Sequence, residues 1–269
     1  MRTLAHLSDL HFGRADPAVV QSLLDDVRGQ RADLVVVSGD LTQRARPWQF
    51  AQARDFLDRL PEPRLMVPGN HDIAPFHRPL ERLLDPFGAY RRYIAAETEP
   101  LFVDDEIAVL GVNTARAHLL REGRISSRQL DVIRARFSGS AKRTKIVVTH
   151  HPFIPLPIAG RTNIVGHARR ALEALEECGV ELLLAGHLHH AFSADVVHHH
   201  STIKRSMLVA QATTTTSTRL RSDPNAYNLI ELGDDQVTIT VRAFAAGRFD
   251  TVRVDRYLRN GHRWLPATA

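Results

Sequence analysis

Side chains able to bind metal ions follow short apolar runs at five points in the first 190 residues. The clearest case is the run at residues 64–67, which stops at Pro-Gly and is followed by an amide, an imidazole and a carboxylate. The side chains of this kind are Asp9, His11, Asp40, Asn70, His71, Asp72, His150, His187 and His189. Oxygen and imidazole ligands without thiolates suit a divalent or trivalent first-row metal. There are enough ligands for two ions, and such a pair can hold both the attacking and the leaving oxygen of a phosphoryl transfer.

The runs before these side chains predict buried strands of a parallel sheet, because they are short, apolar and end at turn residues. In such sheets ligands bind outside the carboxyl ends of the strands. All five groups of polar side chains would therefore meet at one edge. The predicted strands are residues 3–7, 33–37, 64–67, 107–112, 146–149 and 181–184.

Helical patterns separate the strands. Asp16 and Pro17 predict the start of a helix that runs toward Gly29, and Ser126 with Gln129 forms a capping-box pattern. The other predicted helices start at residue 47, cover 76–96 with a break at 85–86, and cover 167–178 before a glycine. After residue 189 helical patterns stop. Alternating runs such as 237–241 there predict antiparallel strands and hairpins.

Composition limits the class of protein and its partners. A chain of 269 residues with 43% hydrophobic and 24% charged residues predicts a single domain over residues 1–269. The formal charge of +5 is scattered, which fits an anionic substrate better than a stable nucleic-acid partner. The single cysteine, Cys178, suits the reducing cytoplasm. We find no signal-peptide pattern after Met1 and no apolar run near the ~20 residues of a membrane helix.

Not every histidine is expected to bind metal. His198, His199 and His200 lie beside a predicted turn without a nearby carboxylate, so exposed turn residues are expected there. His6, inside the first strand, is expected to be a core or edge residue.

The ordered blocks D-x-H, G-D, G-N-H-[DE], H and G-H-x-H resemble the calcineurin-like metallophosphoesterase superfamily. They occur here at residues 9–11, 39–40, 69–72, 150 and 186–189, and thus span about seven-tenths of the chain. The Ser-Asp-Leu-His and Gly-Asn-His-Asp variants are similar to class III cyclic-nucleotide phosphodiesterases. The resemblance implies an α/β fold of mixed sheets, a four-layer αββα sandwich. In it, antiparallel strands after about residue 190 would complete the second sheet.

The resemblance also implies how the metals are held. Asp9, His11 and His189 would bind one ion, and Asn70, His150 and His187 the other, with Asp40 bridging them. The ions would be two of Mn²⁺, Fe²⁺, Fe³⁺ or Zn²⁺.

Three site residues need separate comment. His150 and His151 compete for one role, because neighbouring residues of a strand point to opposite sides. His150 is preferred because it directly follows the apolar strand, as the family's ligand does. The resemblance places His71 at the phosphate and leaving group, where it can act as a general acid. Asp72 either orients His71 or another site group, or simply stabilises the turn.

The expected activity is metal-dependent hydrolysis of a small phosphodiester, and the preferred substrate class is cyclic nucleotides. The reaction would proceed by in-line attack of a water that two ions activate. One alternative is a pyrophosphatase or phosphodiesterase for another nucleotide-linked substrate such as UDP-diacylglucosamine. In that case segments 76–93 and 152–158 would form an apolar insertion.

A non-catalytic scaffold is disfavoured because no ligand is lost. A phosphoprotein phosphatase is disfavoured because Leu41-Thr42-Gln43 follows Gly-Asp. A homodimer is left open.

Overall fold

The computed structural model describes residues 1–140, 142–156, 164–200, 202–218 and 223–267. In this part of the chain the strands are β1 (Arg2–Leu7), β2 (Leu34–Ser38), β3 (Arg64–Val67), β4 (Leu101–Val103), β5 (Ile107–Gly111), β6 (Thr144–Val148), β7 (Val180–Ala185), β8 (Phe192–Asp195), β9 (Leu208–Gln211), β10 (Ala226–Leu232), β11 (Gln236–Ala245), β12 (Arg248–Asn260) and β13 (Arg263–Pro266). The helices are α1 (Pro17–Gln30), α2 (Pro47–Asp58), α3 (Pro79–Leu84), α4 (Gly88–Tyr93), α5 (Ser127–Phe137) and α6 (Ala168–Glu177).

The strands form two mixed sheets. The first has the order β13-β12-β11-β10-β1-β2-β3, in which β1, β2 and β3 are parallel and β10 pairs antiparallel with β1. The second has the order β4-β5-β6-β7-β9-β8, with β5, β6, β7 and β9 parallel. Each of the six predicted strands occurs, with ends that differ from the prediction by at most two residues.

The region after residue 190 divides between the sheets. Among the described residues β8 and β9 join the second sheet, whereas β10 to β13 extend the first one with antiparallel strands. The physical reason is the free edge of β1. Its other edge is taken by β2, and Leu4 and Ala5 pair with Ile230 and Leu229 of β10.

Three apolar cores separate four layers. Alternate residues of β1 and β2 point to opposite faces, so Leu4 and Val36 pack between the two sheets while Ala5 packs under α1 and α2. The second sheet repeats this arrangement, with Leu182 facing the first sheet and Leu183 facing α5 and α6. The expected αββα sandwich is therefore confirmed.

The helix ends follow their capping residues. Asp16 accepts a hydrogen bond from the backbone N of Ala18 at 2.9 Å, and Ser126 and Gln129 form the predicted capping box. Gly179 follows α6 with a φ of +72°, the left-handed conformation expected there. The prediction for α1 was less accurate, since the helix passes Gly29 and is closed by Arg31 at a φ of 50°.

The segments considered as an apolar insertion differ from each other. Residues 157 and 158 lie outside the described residues, but Phe153 and Ile154 are buried in the core under α5 and α6. By contrast, Phe76 and three leucines of α3 are exposed. No helix in the described ranges is both long enough and apolar enough to cross a membrane.

Candidate metal centre

Backbone hydrogen bonds join neighbouring strand ends within each sheet: the N–H of Asp9 donates to the carbonyl of Gly39 at 3.0 Å, and that of Gly186 donates to the carbonyl of His150 at 3.0 Å. Between the sheets, the N–H of His187 donates to Oδ2 of Asp9 at 2.9 Å and Nδ1 of His150 donates to the carbonyl of Ser38 at 2.8 Å. These contacts bring the predicted site residues of both sheets into one region. The side chains form two groups that share Asp40.

The first group consists of Asp9, His11 and His189. Oδ1 of Asp9 lies 3.0 Å from Nε2 of His189 and 3.7 Å from Nε2 of His11. The two imidazole nitrogens are 3.3 Å apart. All three side chains are buried.

The second group consists of Asn70, His150 and His187. Nε2 of His150 lies 3.1 Å from Oδ1 of Asn70 and 3.2 Å from Nδ1 of His187. Each of these atoms can offer a lone pair. Lone pairs at these distances repel one another, so a proton or a metal cation must lie between them to stabilise the arrangement.

Asp40 lies between the groups. Its Oδ2 is 3.4 Å from Nε2 of His150 and 3.9 Å from Nε2 of His11. Its Oδ1 accepts a hydrogen bond from the backbone N–H of His71 at 2.8 Å. One carboxylate oxygen is therefore fixed by the chain, and the other faces both groups.

Hydrogen bonds behind the site set the direction of these side chains. Oδ2 of Asp9 accepts from the Ser8 hydroxyl at 2.6 Å and from the N–H of His187 at 2.9 Å, which leaves Oδ1 for the site. Nδ1 of His150 donates to the carbonyl of Ser38 at 2.8 Å, which leaves the lone pair on Nε2. Partners of this kind are typical of metal ligands.

The electrostatics of the buried groups fit a cation. Burial alone would raise the pKa of Asp40, but the neighbouring His150, His71 and His11 side chains hold it well below its ordinary value. Burial lowers the pKa of His11 to about 4 and that of His187 to about 3. For His150 burial is outweighed by Asp40, which raises the pKa to about 9. The buried carboxylates of Asp9 and Asp40 thus favour a positive charge on His150, whereas burial keeps the imidazoles of His11 and His187 neutral.

The backbone of the site is strained. In the described part of the chain nine residues other than glycine have a positive φ, and five of them are site residues with φ between 50° and 72°. They are Asp9, His11, Asp40, His187 and His189. Residues with a Cβ avoid this region, and such strain tends to occur at functional sites.

Two motif glycines are required by close approach. A Cβ at Gly69 would lie 2.1 Å from Oδ1 of Asp40, and a Cβ at Gly186 would lie 1.8 Å from Oγ of Ser8. Both distances are far too short for any side chain. The glycines therefore let the strand-end loops pack against the carboxylates of the site.

His71 and Asp72 have different surroundings. Nδ1 of His71 donates to the carbonyl of Gln43 at 2.7 Å, and its ring lies at 4.9 Å from that of His11. Asp72 accepts from the backbone N–H of Gly69, Leu41 and Thr42, at 2.9, 3.1 and 2.8 Å. The contacts of Asp72 favour the turn-stabilising role, and Gln43 rather than Asp72 orients the ring of His71.

His151 lies beside the second group, with a ring nitrogen within 4.8 Å of ligand atoms of His150 and His187. Its Nδ1 lies 2.8 Å from the hydroxyl of Thr114, and its ring packs so closely against Gly123 that a Cβ there would lie 2.4 Å away. Its ring is also 4.6 Å from that of His187. His151 thus supports the loop after β5 as well as the ring of His187.

The sequence reasoning missed several supporting residues. The hydroxyls of Thr214 and Thr216 donate to the carbonyls of Asp9 and Leu10, at 2.7 and 2.6 Å. The run of four threonines was visible as a compositional bias, but nothing in it indicated a contact with the first loop. Of the other histidines considered above, His6 is buried in the core and His198 and His199 are exposed, as expected. The expectation was wrong for His200, which is half-buried.

Comparison with known proteins agrees with this geometry. A model of the family described as calcineurin-like phosphoesterase matches residues 2–191. A relative from Enterobacter lignolyticus, named glycerophosphodiester phosphodiesterase GpdQ, is 32% identical over 69% of this chain and 70% of its own length. A relative from Mycobacterium tuberculosis, named cAMP/cGMP dual specificity phosphodiesterase, is 24% identical over 91% of this chain and 80% of its own length.

Solved structures share the fold at low sequence identity. A purple acid phosphatase from yellow lupin aligns with a TM-score of 0.66 and 9% identity, over 93% of this chain and 52% of its own. A dimetal phosphatase from Danio rerio aligns with a TM-score of 0.63 and 16% identity, over 93% and 98%. These similarities support the architecture of the two sheets.

Proposed function

The chain belongs to the calcineurin-like phosphoesterase family and is a metal-dependent phosphodiester hydrolase, and we propose that it uses two metal ions to cleave a small phosphodiester. The observation that carries this proposal is the position of Asp40. Its Oδ2 faces His11 at 3.9 Å and His150 at 3.4 Å, so one oxygen serves both groups.

The donor set fits two ions. Asp9, His11 and His189 would hold one, and Asn70, His150 and His187 the other, with Asp40 shared. Oxygen and nitrogen donors without thiolate suit manganese, iron or zinc. When bound, such a pair supplies Lewis acidity to the phosphate oxygens and to the attacking water.

The chain's own residues would perform the remaining tasks. Because Nδ1 of His71 donates to the Gln43 carbonyl, Nε2 is left for the substrate. His71 can then donate a proton to the leaving oxygen. The backbone of His71 is tied to Asp40, which fixes its distance from the ligand groups.

Two substrate classes are supported by the names of relatives. Cyclic nucleotides come first, since an Escherichia coli relative that is 26% identical over 65% of this chain and 62% of its own length is named 3',5'-cyclic adenosine monophosphate phosphodiesterase. Glycerophosphodiesters are the second class, supported by the name of the GpdQ relative, which is 32% identical. A lipid-linked nucleotide such as UDP-diacylglucosamine has less support, because Phe153 and Ile154 are buried in the core.

The test is an assay of the metal-loaded protein with matched diesters and monoesters. We expect kcat/KM for bis(p-nitrophenyl) phosphate to exceed that for p-nitrophenyl phosphate, and cyclic AMP or a glycerophosphodiester to be hydrolysed. A strong preference for the monoester would make the protein a phosphatase instead. No turnover of any of these compounds would favour the scaffold alternative.

We also propose a cytoplasmic location for the protein, because Cys178 is a free thiol, which suits a reducing compartment.

A further inference from the structure

A cavity of about 270 Å³ lies between the start of α2 and the segment that precedes α3. Residues that form it include Ala45, Arg46, Trp48, Pro75, His77 and Arg78. We call it the rim pocket. Its volume is just below the range of about 300–1,000 Å³ of typical ligand sites.

Two walls of the rim pocket lie close along the chain to Gln43 and His71. The carbonyl of Gln43 holds the ring of His71, and Ala45 follows Gln43 by two residues. Pro75 follows His71 by four residues. Since an extended residue spans at most about 3.6 Å, these walls lie within about 7 and about 14 Å of the two residues. A leaving group the size of a nucleotide can therefore reach from His71 into the pocket.

The charges of the pocket favour an anion. Arg46 is exposed and makes no side-chain hydrogen bond or ion pair with any residue that the structure describes. Among the described residues, the side chain of Arg78 pairs with Glu81 alone, at 3.3 Å on the surface, and an exposed pair of this kind is weak enough to exchange for a ligand. The residues that line the cavity include His77 but no carboxylate.

Trp48 adds a planar surface. The chain has two tryptophans, and Trp264 is only 3% exposed, whereas 49% of Trp48 is exposed at the pocket. An exposed indole beside arginines is suited to stacking on an aromatic ring of a ligand.

Gln43 links His71 to the wall of the pocket. The residue is 7% exposed, its backbone carbonyl accepts from Nδ1 of His71 at 2.7 Å, and its side-chain amide lies 3.3 Å from the same nitrogen. The segment that forms one wall of the pocket therefore also holds the ring of His71.

We propose that the rim pocket receives the leaving half of an acyclic phosphodiester, and that this half carries a planar ring and a second negative charge, as a nucleoside monophosphate does. This rests on the phosphodiesterase activity proposed above and adds a class of acyclic substrates to the cyclic nucleotides. Water adds to phosphorus and the bond from phosphorus to the leaving oxygen breaks. The electron pair stays on that oxygen, which takes a proton from Nε2 of His71, and the attacking water gives one proton to solvent, from which His71 regains its own.

The test compares two dinucleotides that differ in one group. In pApA the leaving half is adenosine 5'-monophosphate, and in ApA it is adenosine, while the scissile bond is the same. We expect the metal-loaded enzyme to show a kcat/KM about tenfold higher for pApA, because charge-assisted hydrogen bonds to the terminal phosphate are strong. The preference should shrink as salt is raised.

Variants assign the preference to residues. The double variant Arg46→Gln, Arg78→Gln should reduce kcat/KM for pApA to the value for ApA and leave kcat/KM for ApA unchanged. Trp48→Ala should lower kcat/KM for both dinucleotides by about tenfold and change kcat/KM for cyclic AMP by no more than about twofold. Arg128→Gln, which removes an exposed charge from α5, is the matched control and should change neither. Equal rates for pApA and ApA, or equal losses in the control, would overturn the proposal.

Fluorescence separates this proposal from the activity on which it rests. Adenosine monophosphate should quench the exposed Trp48, and Trp48→Phe should abolish the quenching, because Trp264 is buried. Hydrolysis of bis(p-nitrophenyl) phosphate without any quenching would refute the pocket and leave the phosphodiesterase. Quenching without hydrolysis of any diester would refute the phosphodiesterase and leave the pocket as a nucleotide site.

Discussion

The floor and the rim of the site are built differently. The floor consists of the side chains at the strand ends around Asp40, which are mostly buried, held by backbone hydrogen bonds and strained in φ. The rim consists of residues 44–48 and 76–84, where several arginines and leucines and Trp48 are exposed.

This difference assigns the two regions different tasks. The floor holds fixed ligand groups, and a change there disturbs metal binding and the reaction. The rim has few constraints from packing, so its side chains can vary with the substrate. Substitutions in the floor should therefore have much larger effects on activity than substitutions in the rim.

The largest effect is expected for Asp40→Ala. Its Oδ2 serves both groups and its Oδ1 anchors His71, so both ions and the reaction should be lost. We expect kcat/KM to fall by more than the ~10²–10⁴-fold that removal of a general acid costs. Metal analysis and circular dichroism check the result. Near-normal turnover with two ions bound would contradict the shared role of Asp40.

The adjacent histidines sharpen the boundary of the floor. His150→Ala should remove one ion and nearly all activity, because Nε2 of His150 faces Asn70 and His187. His151→Ala should keep both ions and lower the free energy of unfolding by about 1–3 kcal/mol, since it removes a buried hydrogen bond to Thr114. Activity, metal content and urea unfolding of the two variants test this prediction. A larger loss of metal and activity in His151→Ala than in His150→Ala would show that His151 is the ligand.

His71→Ala should separate the reaction from metal binding. We expect both ions to remain and kcat for an alkoxide leaving group to fall by about 10²–10⁴-fold. A nitrophenyl ester leaves without a proton, so its rate should fall much less. Equal losses for both leaving groups would speak against the general-acid role and for positioning of the phosphate.

Gly69→Ala tests the backbone of the floor. A Cβ there would lie 2.1 Å from Oδ1 of Asp40, so the carboxylate must shift. We expect metal affinity to fall by about 10–100-fold, as for other residues behind metal ligands. Gly29→Ala is the control, because a Cβ at Gly29 meets nothing within 4 Å. Titration with manganese compares the two, and equal affinities would show that Asp40 tolerates the shift.

The smallest effect is expected in the rim, for Leu83→Ala. This side chain is 77% exposed on α3, so the free energy of unfolding should change by no more than about 0.5 kcal/mol. Activity toward bis(p-nitrophenyl) phosphate should also stay the same. Thermal unfolding and kinetics measure both, and a large loss of activity would mean that the rim contributes to the floor.

The same division explains what the sequence could predict. The strands before the ligands are buried on both faces, so their runs are apolar and end at turn residues, and β3 has the predicted bounds. Caps such as Asp16 and Ser126 act through neighbouring residues. β4 was missed because it has three residues at an edge of its sheet, two of them exposed.

Contacts between distant parts of the chain were beyond the sequence. The pairing of β10 with β1 joins residues more than 200 positions apart, and no local pattern indicates which strand takes a free edge. The contact of Gln43 with His71 and the contacts of the threonine run are of the same kind. Each short block of candidate ligands could be found because its spacing is local, and the metal-binding role of these residues stays a prediction. The surroundings that orient them could not be found from the sequence.

Anomalous diffraction from manganese-loaded crystals is the most direct test of the two-metal centre. We predict two peaks about 3.5–4 Å apart. One should lie between Asp9, His11 and His189, the other between Asn70, His150 and His187, and both should contact Asp40. A single peak, or peaks that do not share Asp40, would contradict the two-metal assignment.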